Sequence, residues 1–153
     1  MNLTQSDLEI GPATDGDFTA VVALLERSRL PEAGLAEHRD ALIVARAGGR
    51  VVGCVALEVY GGQALLRSVA VDDAMRGRGL GVRLTEAALD RARRQGVRAV
   101  YLLTETAAQF FPRFGFEVVD RASVRGDVTQ SVEFTSACPA SATVMALDLT
   151  RSE

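Results

Sequence analysis

A glycine-rich segment of the sequence has the residue types and the setting to bind a pyrophosphate. It is Arg76-Gly77-Arg78-Gly79-Leu80-Gly81, between an apolar run over Ala64–Val71 and an amphipathic segment from Leu80 to about Gln95. The run predicts a strand and the amphipathic segment a helix. A turn that leads a strand into a helix leaves backbone N–H groups unpaired at the positive end of the helix dipole, where anions bind. Two arginines add fixed positive charge, so the sequence predicts a pyrophosphate site.

The spacing of the glycines separates this loop from two other phosphate-binding loops. They run G-x-G-x-G instead of the dinucleotide fingerprint G-x-G-x-x-G, and no βαβ unit begins the chain. No Gly-Lys-Ser/Thr follows, which excludes a Walker A loop. The segment does match Q/R-x-x-G-x-G/A, with Arg76, Gly79 and Gly81 in the defining positions. In this it resembles the acetyl-CoA loop of the GNAT N-acetyltransferase superfamily.

Two flanking segments extend the resemblance over nearly the whole chain, from about Glu9 to Leu149. Ser68–Asp72 is similar to the family's strand into the loop, and Ala107–Phe116 to its late A-x-x-x-[Y/F]-x-x-x-G-F segment. The resemblance implies an α/β protein with the GNAT fold, a mixed, mostly antiparallel sheet of six to seven strands with helices on both faces. It also implies acetyl-CoA as acetyl-donor co-substrate, with no metal.

The elements predicted from the residues follow the order β-α-α-β-β-β-α-β-α-β-β, which agrees with that fold. Strands are expected at Leu8–Pro12, Ala41–Arg46, Arg50–Val59, Ala64–Val71, Arg98–Thr104, Phe116–Asp120 and Ala142–Leu149. A helix is expected from about Asp15 to Arg29, with short ones at Leu35–Arg39 and Ala107–Arg113. Residues 121–139 are interpreted as a helix or loop excursion.

The resemblance assigns the donor-binding residues one by one. The strand before the loop pairs its backbone with the pantetheine arm, a role that falls on Val69, Ala70 and Val71. The pyrophosphate falls on the loop and the start of the helix, which are Arg76, Gly77, Arg78, Gly79, Leu80, Gly81 and Val82. A polar residue near the end of the next strand matches Thr104, and Phe111 completes the expected donor site.

Acetyl transfer to an amine needs a base for the amine proton, donors for the developing oxyanion and an acid for the CoA thiolate. The backbone N–H of Val69 is the candidate oxyanion donor. Many members use a tyrosine as the acid, four residues before the Gly of Gly-Phe, and that position is Phe111 here. The proton for the thiolate is therefore left to Tyr60, Cys138 or water, although packing roles for Tyr60 and Cys138 stay open.

Glu58 is the preferred base because strand alternation over Val52, Cys54 and Ala56 places it on an otherwise apolar face. A partly desolvated carboxylate is a better proton acceptor than one in water. The alternative is that Glu58 lies in water at a fraying strand end. Glu105 is a second candidate, with the same alternative.

Three residues are candidates for binding the acceptor: Arg67, His38 and Glu105. Arg67 interrupts an apolar run in a predicted central strand, where a guanidinium needs a partner. It would grip an acceptor carboxylate in a bidentate fork, or else form an internal pair with Glu58 or Glu105. His38 lies in a region that commonly borders the acceptor pocket in the family, and the alternative is a surface or capping histidine.

Several segments resemble one branch in particular, the N-acetyltransferases encoded with arsenic-resistance genes. They are Leu57–Gly61, Leu65–Ser68, Tyr101–Thr104 and Glu133-Phe134 with Cys138–Ala142, together with Leu30-Pro31, Gly34-Leu35 and Glu37-His38. The Cys-Pro-x-Ser-Ala element is also similar to short bacterial amino-acid acetyltransferases. Both likenesses imply a small amino acid or an analogue as acceptor, an amine-bearing organoarsenical included. Two isolated cysteines, Cys54 and Cys138, do not form an arsenic-binding thiol site.

Composition bounds the class of protein. At 153 residues with 48% apolar residues, a single domain over residues 1–153 is expected. A net charge of −3 argues against a nucleic-acid partner, and no apolar run approaches the roughly 20 residues of a membrane span. Without a signal pattern or a disulfide framework, the cytoplasm is the expected compartment. The resemblance implies a homodimer, since members of the family are often dimers.

Two alternatives to a small-molecule acetyltransferase follow from the sequence. Phe111, which cannot donate a proton, favours an acyl-CoA-binding regulatory domain without catalysis. Acetylation of protein N-termini or of ribosomal proteins is the other, and it would need an open groove. The Leu30–Arg39 segment and the 121–139 excursion favour a lid over the site instead.

Overall fold

The computed structural model describes residues 8–137 and 140–150, with seven strands and two α-helices in a mixed sheet. The strands are β1 (Leu8–Pro12), β2 (Leu42–Ala47), β3 (Arg50–Tyr60), β4 (Gln63–Val71), β5 (Ala99–Thr104), β6 (Glu117–Val119) and β7 (Thr143–Asp148). The helices are α1 (Phe18–Arg27) and α2 (Leu80–Arg94). The strand order is β1-β2-β3-β4-β5-β7-β6. The pair β4–β5 is parallel, while β1–β2, β2–β3, β5–β7 and β6–β7 are antiparallel, so the predicted fold class is confirmed.

The described chain divides into two compact units, and the first comprises residues 8–56 and 68–90. Here β1, β2 and the first part of β3 pair antiparallel, and Gly48-Gly49 joins β2 to β3. The φ angles of these glycines are 58° and 81°, as a tight hairpin turn requires. Asp17, before α1, pairs with Arg46 of β2, and this hydrogen bond is the main reason that the pKa of the Asp17 carboxyl is lowered. The core of this unit is formed by Val21, Leu24, Leu25, Leu35, Ala41, Leu42, Val44, Cys54, Ala56 and Ala70.

The second unit comprises residues 57–67 and 91–150, apart from 138 and 139. β5 is central in it, pairing with the start of β4 on one side and with β7 on the other, and β7 also pairs with β6. Its core residues are Leu65, Leu103, Val124, Val128, Ala142 and Val144, with Tyr60, Tyr101, Val119 and Phe134 partly buried against them. The division into two units does not test the expectation of a single domain over residues 1–153, which stays a prediction.

The excursion segment, residues 121–137, crosses the second unit without an α-helix. It contains two 3-10 helices, Arg121–Ser123 and Asp127–Gln130, and then a π-helix, Glu133–Ala137. Gln63 of β4 holds it in place, because its side-chain amide donates to the Arg125 carbonyl (2.5 Å) and accepts from the Val128 amide (3.3 Å). The segment is therefore fixed to the β3–β4 hairpin.

Two helices differ from the sequence-based expectation. A 3-10 turn over Asp15–Asp17 precedes α1, which begins at Phe18 and ends at Arg27. The short helix expected at residues 107–113 is wrong: the structure has a turn followed by a 3-10 helix, Phe111–Phe114. Pro112 lacks the N–H that an α-helix would use there, and Gly115 ends the turn at φ 100°. In the described part of the chain, no helix is long and apolar enough to cross a membrane.

Gly53 of β3 is predicted to be required for the packing of α2. A β-carbon at this position would lie 2.8 Å from Leu84 Cδ1 and 3.2 Å from the Ala70 carbonyl oxygen, whereas one at Gly11 of β1 would meet nothing within 4 Å. Gly53→Ala is therefore expected to lower the free energy of unfolding by about 1–2 kcal/mol through overpacking. Gly11→Ala is the control and should change it by less than about 1 kcal/mol. Urea denaturation measures both, and equal effects would contradict the prediction.

Candidate active site

β4 has a local break in its backbone at Ser68. This residue is buried and has φ 63°, a left-handed conformation that non-glycine residues rarely adopt within a strand. The parallel pairing with β5 has already ended at Leu65, opposite Tyr101. β4 therefore continues to Val71 beyond the last pair, and Val69 and Val71 stay half-buried while Ala70 is buried. Strain of this kind is often found at functional sites.

The glycine-rich loop presents free backbone donors. Among the described residues, no backbone carbonyl accepts from the amides of residues 77–82, and the next amide, that of Arg83, donates to Gly79 O (3.1 Å). Gly77 and Gly79 have φ 81° and 75°, so both adopt a conformation that suits glycine. Asp72 caps the turn before the loop by accepting from the Ala74 amide (3.0 Å). The loop thus has the donors that a diphosphate needs.

The arginines of the loop are exposed. The Arg76 guanidinium lies 2.9 Å from the Asp73 carboxylate, and Arg78 extends into solvent. Surface pairs such as Arg76–Asp73 contribute little to stability, so an anionic ligand could exchange with Asp73 at small cost.

Arg83, in the first turn of α2, is a candidate that the sequence analysis missed. Its Nη1 atom is buried and has no hydrogen-bond partner among the residues the structure describes. A cation near a helix N-terminus is disfavoured by the dipole, and a buried guanidinium nitrogen without a hydrogen-bond partner is costly. A bound anion would relieve both costs. Its position three residues after Leu80, on the first turn of the helix, is the signal that could have identified it.

In the second unit, a buried charged cluster forms around Arg67; we refer to Glu58, Tyr60, Arg67, Ser131 and Glu133 as the Arg67 cluster. Arg67 Nη1 lies 3.1 Å from Glu58 Oε2, and Arg67 Nε lies 3.2 Å from Glu133 Oε2. The side chains of the arginine and the two glutamates are at most 4% exposed. The alternative of a solvated Glu58 is therefore wrong, and the internal Arg67–Glu58 pair is confirmed.

Tyr60 joins the cluster by donating its phenol proton to Glu58 Oε1 (2.5 Å). Burial, followed by this hydrogen bond, raises the pKa of Tyr60 to about 12, although the Ser131 side chain acts in the opposite direction. The phenol is thus protonated at neutral pH. Tyr60 is only half-buried, unlike Glu58, so it is the member of the pair that an acceptor can approach.

The remaining predicted site residues belong neither to the Arg67 cluster nor to the glycine-rich loop. His38 is half-buried in the 3-10 segment Ala36–Ala41, and Glu105 is exposed after β5. The Thr104 hydroxyl accepts from the Ala107 amide (2.9 Å) and so caps the turn that follows β5. Phe111 is buried and stacks edge-on against Phe110 and Phe116. Their functional roles stay predictions.

The structure describes only one of the two cysteines. Cys138 lies outside the described residues. Cys54 is buried in the first unit, where its thiol donates to the Ser68 carbonyl (3.2 Å), and burial raises its pKa to about 12. Across the described residues, no three His, Cys, Asp or Glu side chains are grouped to hold a metal ion.

The model of the Acetyltransferase (GNAT) domain family matches residues 38–118, just over half of the chain. An amino-acid acetyltransferase of Mycobacterium tuberculosis is 38% identical over 96 residues, which cover 61% of this chain and 51% of that protein. The chain thus spans about half the length of this curated relative.

Two solved structures are similar over nearly the whole chain. A Mycobacterium tuberculosis protein in complex with CoA has a TM-score of 0.79 at 27% identity, covering 92% of this chain and 99% of that one. N-acetylglutamate synthase from Neisseria gonorrhoeae, complexed with coenzyme A and N-acetyl-glutamate, has a TM-score of 0.81 at 20% identity. It covers 97% of this chain, which spans 36% of the synthase chain, and at this identity the likeness concerns the fold.

Gly79→Ala is expected to weaken CoA binding about 5- to 30-fold. Gly79 has φ 75° and open space around an added β-carbon, so the cost of alanine is backbone strain of roughly 1–2 kcal/mol in the left-handed conformation. The loop would relieve this strain by changing conformation, which turns its amides away from the diphosphate. Gly48→Ala is the matched control, because Gly48 has φ 58°, equally open space and a place in the β2–β3 turn. Calorimetric titration with CoA should show unchanged affinity for the control, and equal losses in both variants would contradict a role for the loop.

Cys54 is expected to be unreactive in the folded protein. With its thiol pKa at about 12, only ~1 in 10⁴ molecules carries the thiolate at pH 8. In a Cys138→Ser variant Cys54 is the only thiol, and a chromogenic disulfide reagent should label it only after denaturation. Rapid labelling of the native variant would show that the thiol is accessible and ionised.

Proposed function

We propose, from the premise that the chain belongs to the GNAT acetyltransferase domain family, that it transfers the acetyl group of acetyl-CoA to the amine of a small carboxylate-bearing acceptor. The reaction is a direct attack in a ternary complex, without an acetyl-enzyme. The observation that carries the proposal is that no backbone carbonyl of the described residues accepts from the amides of residues 77–82, which follow a strand that continues beyond its pairing with β5. CoA in the similar structures supports the same donor.

The donor binds along β4 and the loop. The amide groups of the pantetheine arm pair with the backbone of Val69, Ala70 and Val71, and the diphosphate accepts from the loop amides. Arg76, Arg78 and Arg83 add positive charge around it. The backbone N–H of Val69 is directed at the thioester oxygen, where it stabilises the oxyanion.

The acceptor amine loses its proton through Tyr60 and Glu58. The ammonium passes a proton to Tyr60 Oη as the phenol proton moves to Glu58 Oε1, across the 2.5 Å hydrogen bond between them. This relay is supported by burial, because Glu58 is 2% exposed and cannot itself meet a bulky acceptor. Glu105 is exposed and does not belong to the Arg67 cluster, so it takes no part in this relay.

The remaining steps conserve atoms and charge. The neutral nitrogen attacks the thioester carbonyl, the C–N bond forms and the C–S bond breaks as the oxyanion collapses. The thiolate takes up the second nitrogen proton, delivered by Tyr60, Cys138 or water, since Phe111 has none to give. The products are the N-acetylated acceptor, CoA and one proton, and proximity within the ternary complex supplies much of the rate.

The proposed acceptor is an amino acid or an amino-acid analogue. An amine-bearing organoarsenical is the more specific proposal, because residues 57–61 and 65–68 resemble the N-acetyltransferases encoded with arsenic-resistance genes. The amino-acid acetyltransferase relative supports the general class. Glu58 and Glu133 both occupy the Arg67 guanidinium, so Arg67 takes part in the acceptor site as an ion-paired arginine. His38 and Glu105 are the further proposed contacts. A cytoplasmic location and a homodimer complete the proposal.

A regulatory acyl-CoA-binding domain is the second candidate function. The specific observation in its favour is that Phe111 is buried among aromatic rings and offers no proton to a leaving thiolate. Such a domain would bind CoA and release no free thiol with any amine. Protein N-terminal acetylation is the third, and it would prefer peptides over free amino acids.

A thiol-release assay separates these functions. Free amino acids, amine-bearing organoarsenicals and peptides with free N-termini are each incubated with acetyl-CoA, and calorimetry measures CoA binding in parallel. We expect CoA to bind and thiol to be released with at least one free amino acid or analogue. Release with peptides alone, or binding without release for all amines, would contradict the proposed function.

Glu58→Gln is expected to lower kcat about 10²-fold near pH 7 and much less at pH 9–10, where the amine is already partly neutral. Tyr60→Phe breaks the relay and should show the same dependence on pH. Tyr101→Phe is the matched control, because Tyr101 is the other tyrosine of the chain and lies in β5. Losses in kcat that do not depend on pH would show that Glu58 and Tyr60 do not remove the amine proton.

A further inference from the structure

We infer that Glu133 is a positioning residue that keeps Glu58 available as proton acceptor by sharing the Arg67 guanidinium with it. This inference rests on the proposed function. Glu133 lies in the π-helix of the excursion segment, outside residues 38–118 that the family model matches. Its sequence carries only the branch resemblance, through Glu133-Phe134, which gives it no chemical role.

The geometry of the guanidinium carries the inference. Arg67 contacts one carboxylate through Nη1 and the other through Nε, at 3.1 and 3.2 Å, with its side chain fully buried. Charge interactions are strong in such surroundings because little water screens them. If Arg67 faced Glu58 alone, it would hold that carboxylate in its charged form and make it a poor proton acceptor. Glu133 takes up part of this attraction and adds a second negative charge to the cluster.

The excursion segment also reaches the other end of the proposed proton path. The Ser131 hydroxyl accepts from the Glu133 amide (3.2 Å), and the Ser131 side chain lies near enough to the Tyr60 phenol to oppose the rise in its pKa. One short stretch of chain, residues 131–133, therefore contacts both Tyr60 and Arg67. Gln63 fixes the excursion segment to the start of β4, and so the segment is held against β3 and β4, which carry Tyr60 and Arg67.

The charged groups around Glu58 can be named from each element packed against it. Tyr60 faces it from β3, Arg67 from β4, and Glu133 approaches through Arg67 from the excursion segment. Tyr60 keeps its proton in the working range of pH and arginine does not titrate. The two carboxylates on Arg67 are therefore the groups of the cluster through which a change of charge at one position acts on the other.

The kinetic test compares Glu133→Gln with the wild type. This substitution removes a negative charge near Glu58 and leaves the Arg67 guanidinium to Glu58 alone. Both effects favour the ionised form of Glu58. We therefore expect the acid limb of the kcat profile to move to lower pH by about one unit, with the plateau lowered about 10-fold. The KM for acetyl-CoA should not change. Glu133→Asp should restore part of the rate, and Glu117→Gln, at an exposed position in β6, is the control.

A second measurement does not depend on activity. Glu58→Gln, Glu133→Gln and the double variant are unfolded in urea as a double-mutant cycle. Each single variant leaves Arg67 one carboxylate, whereas the double variant leaves it without either. We expect the double variant to lose more stability than the sum of the single losses. Additive losses would overturn the shared guanidinium.

The outcomes separate the inference from the proposed function. If the wild type binds CoA but releases no thiol with any amine, the proposed function fails and the catalytic role of Glu133 fails with it, while the cycle still decides whether the guanidinium is shared. If the wild type is active and Glu133→Gln keeps the wild-type profile, the inference alone is overturned. If Glu133→Gln does not fold, Glu133→Asp provides the test, and a wild-type profile in that variant together with additive losses rejects the inference.

Discussion

The acetyl-CoA site depends on the backbone N–H groups of residues 77–82, which have no backbone acceptor within the described part of the chain. A helix cannot satisfy the amides of its own first turn, and the glycine-rich loop adds further amides ahead of α2. Positive φ at Gly77 and Gly79 shapes this loop, and Leu80 and Leu84 of α2 occupy the space that a β-carbon at Gly53 would need. Binding of an anion is the way in which such a junction satisfies its amides without a capping side chain.

The Arg67 cluster is the corresponding constraint in the second unit. A guanidinium that is fully buried would be strongly destabilising if unpaired, and two carboxylates from different parts of the chain pair with it. Glu58 lies on β3, Arg67 on β4 and Glu133 on the excursion segment. The cluster therefore couples the local conformations of these three segments. A proton path through Tyr60 fits this arrangement, since it connects a half-exposed phenol to a buried carboxylate.

The absence of a tyrosine at position 111 changes how the chemistry must be divided. Phe111 is held by neighbouring rings and serves packing. The Tyr60 phenol, with its pKa raised to about 12, is a weak acid that functions better as a relay than as a donor of free protons. The proposed mechanism therefore uses Tyr60 to move the amine proton and leaves the thiolate proton to Tyr60, Cys138 or water. Proximity and the backbone N–H at Val69 supply the remaining stabilisation.

The sequence by itself determined the loop, the strands and the order of the elements, because these depend on local patterns. Glycine spacing, strand alternation and helical period all act within a few residues, and so β1, β4 and α2 lie within two residues of their expected limits. Only the tertiary structure decided the partner of Arg67, the burial of Glu58 and the roles of Arg83 and Glu133. Glu133 and Arg67 are 66 residues apart in sequence, and no local pattern marks a pair that burial alone brings together. A charged residue in a sequence shows that it needs a partner, and the packed fold selects which one it receives.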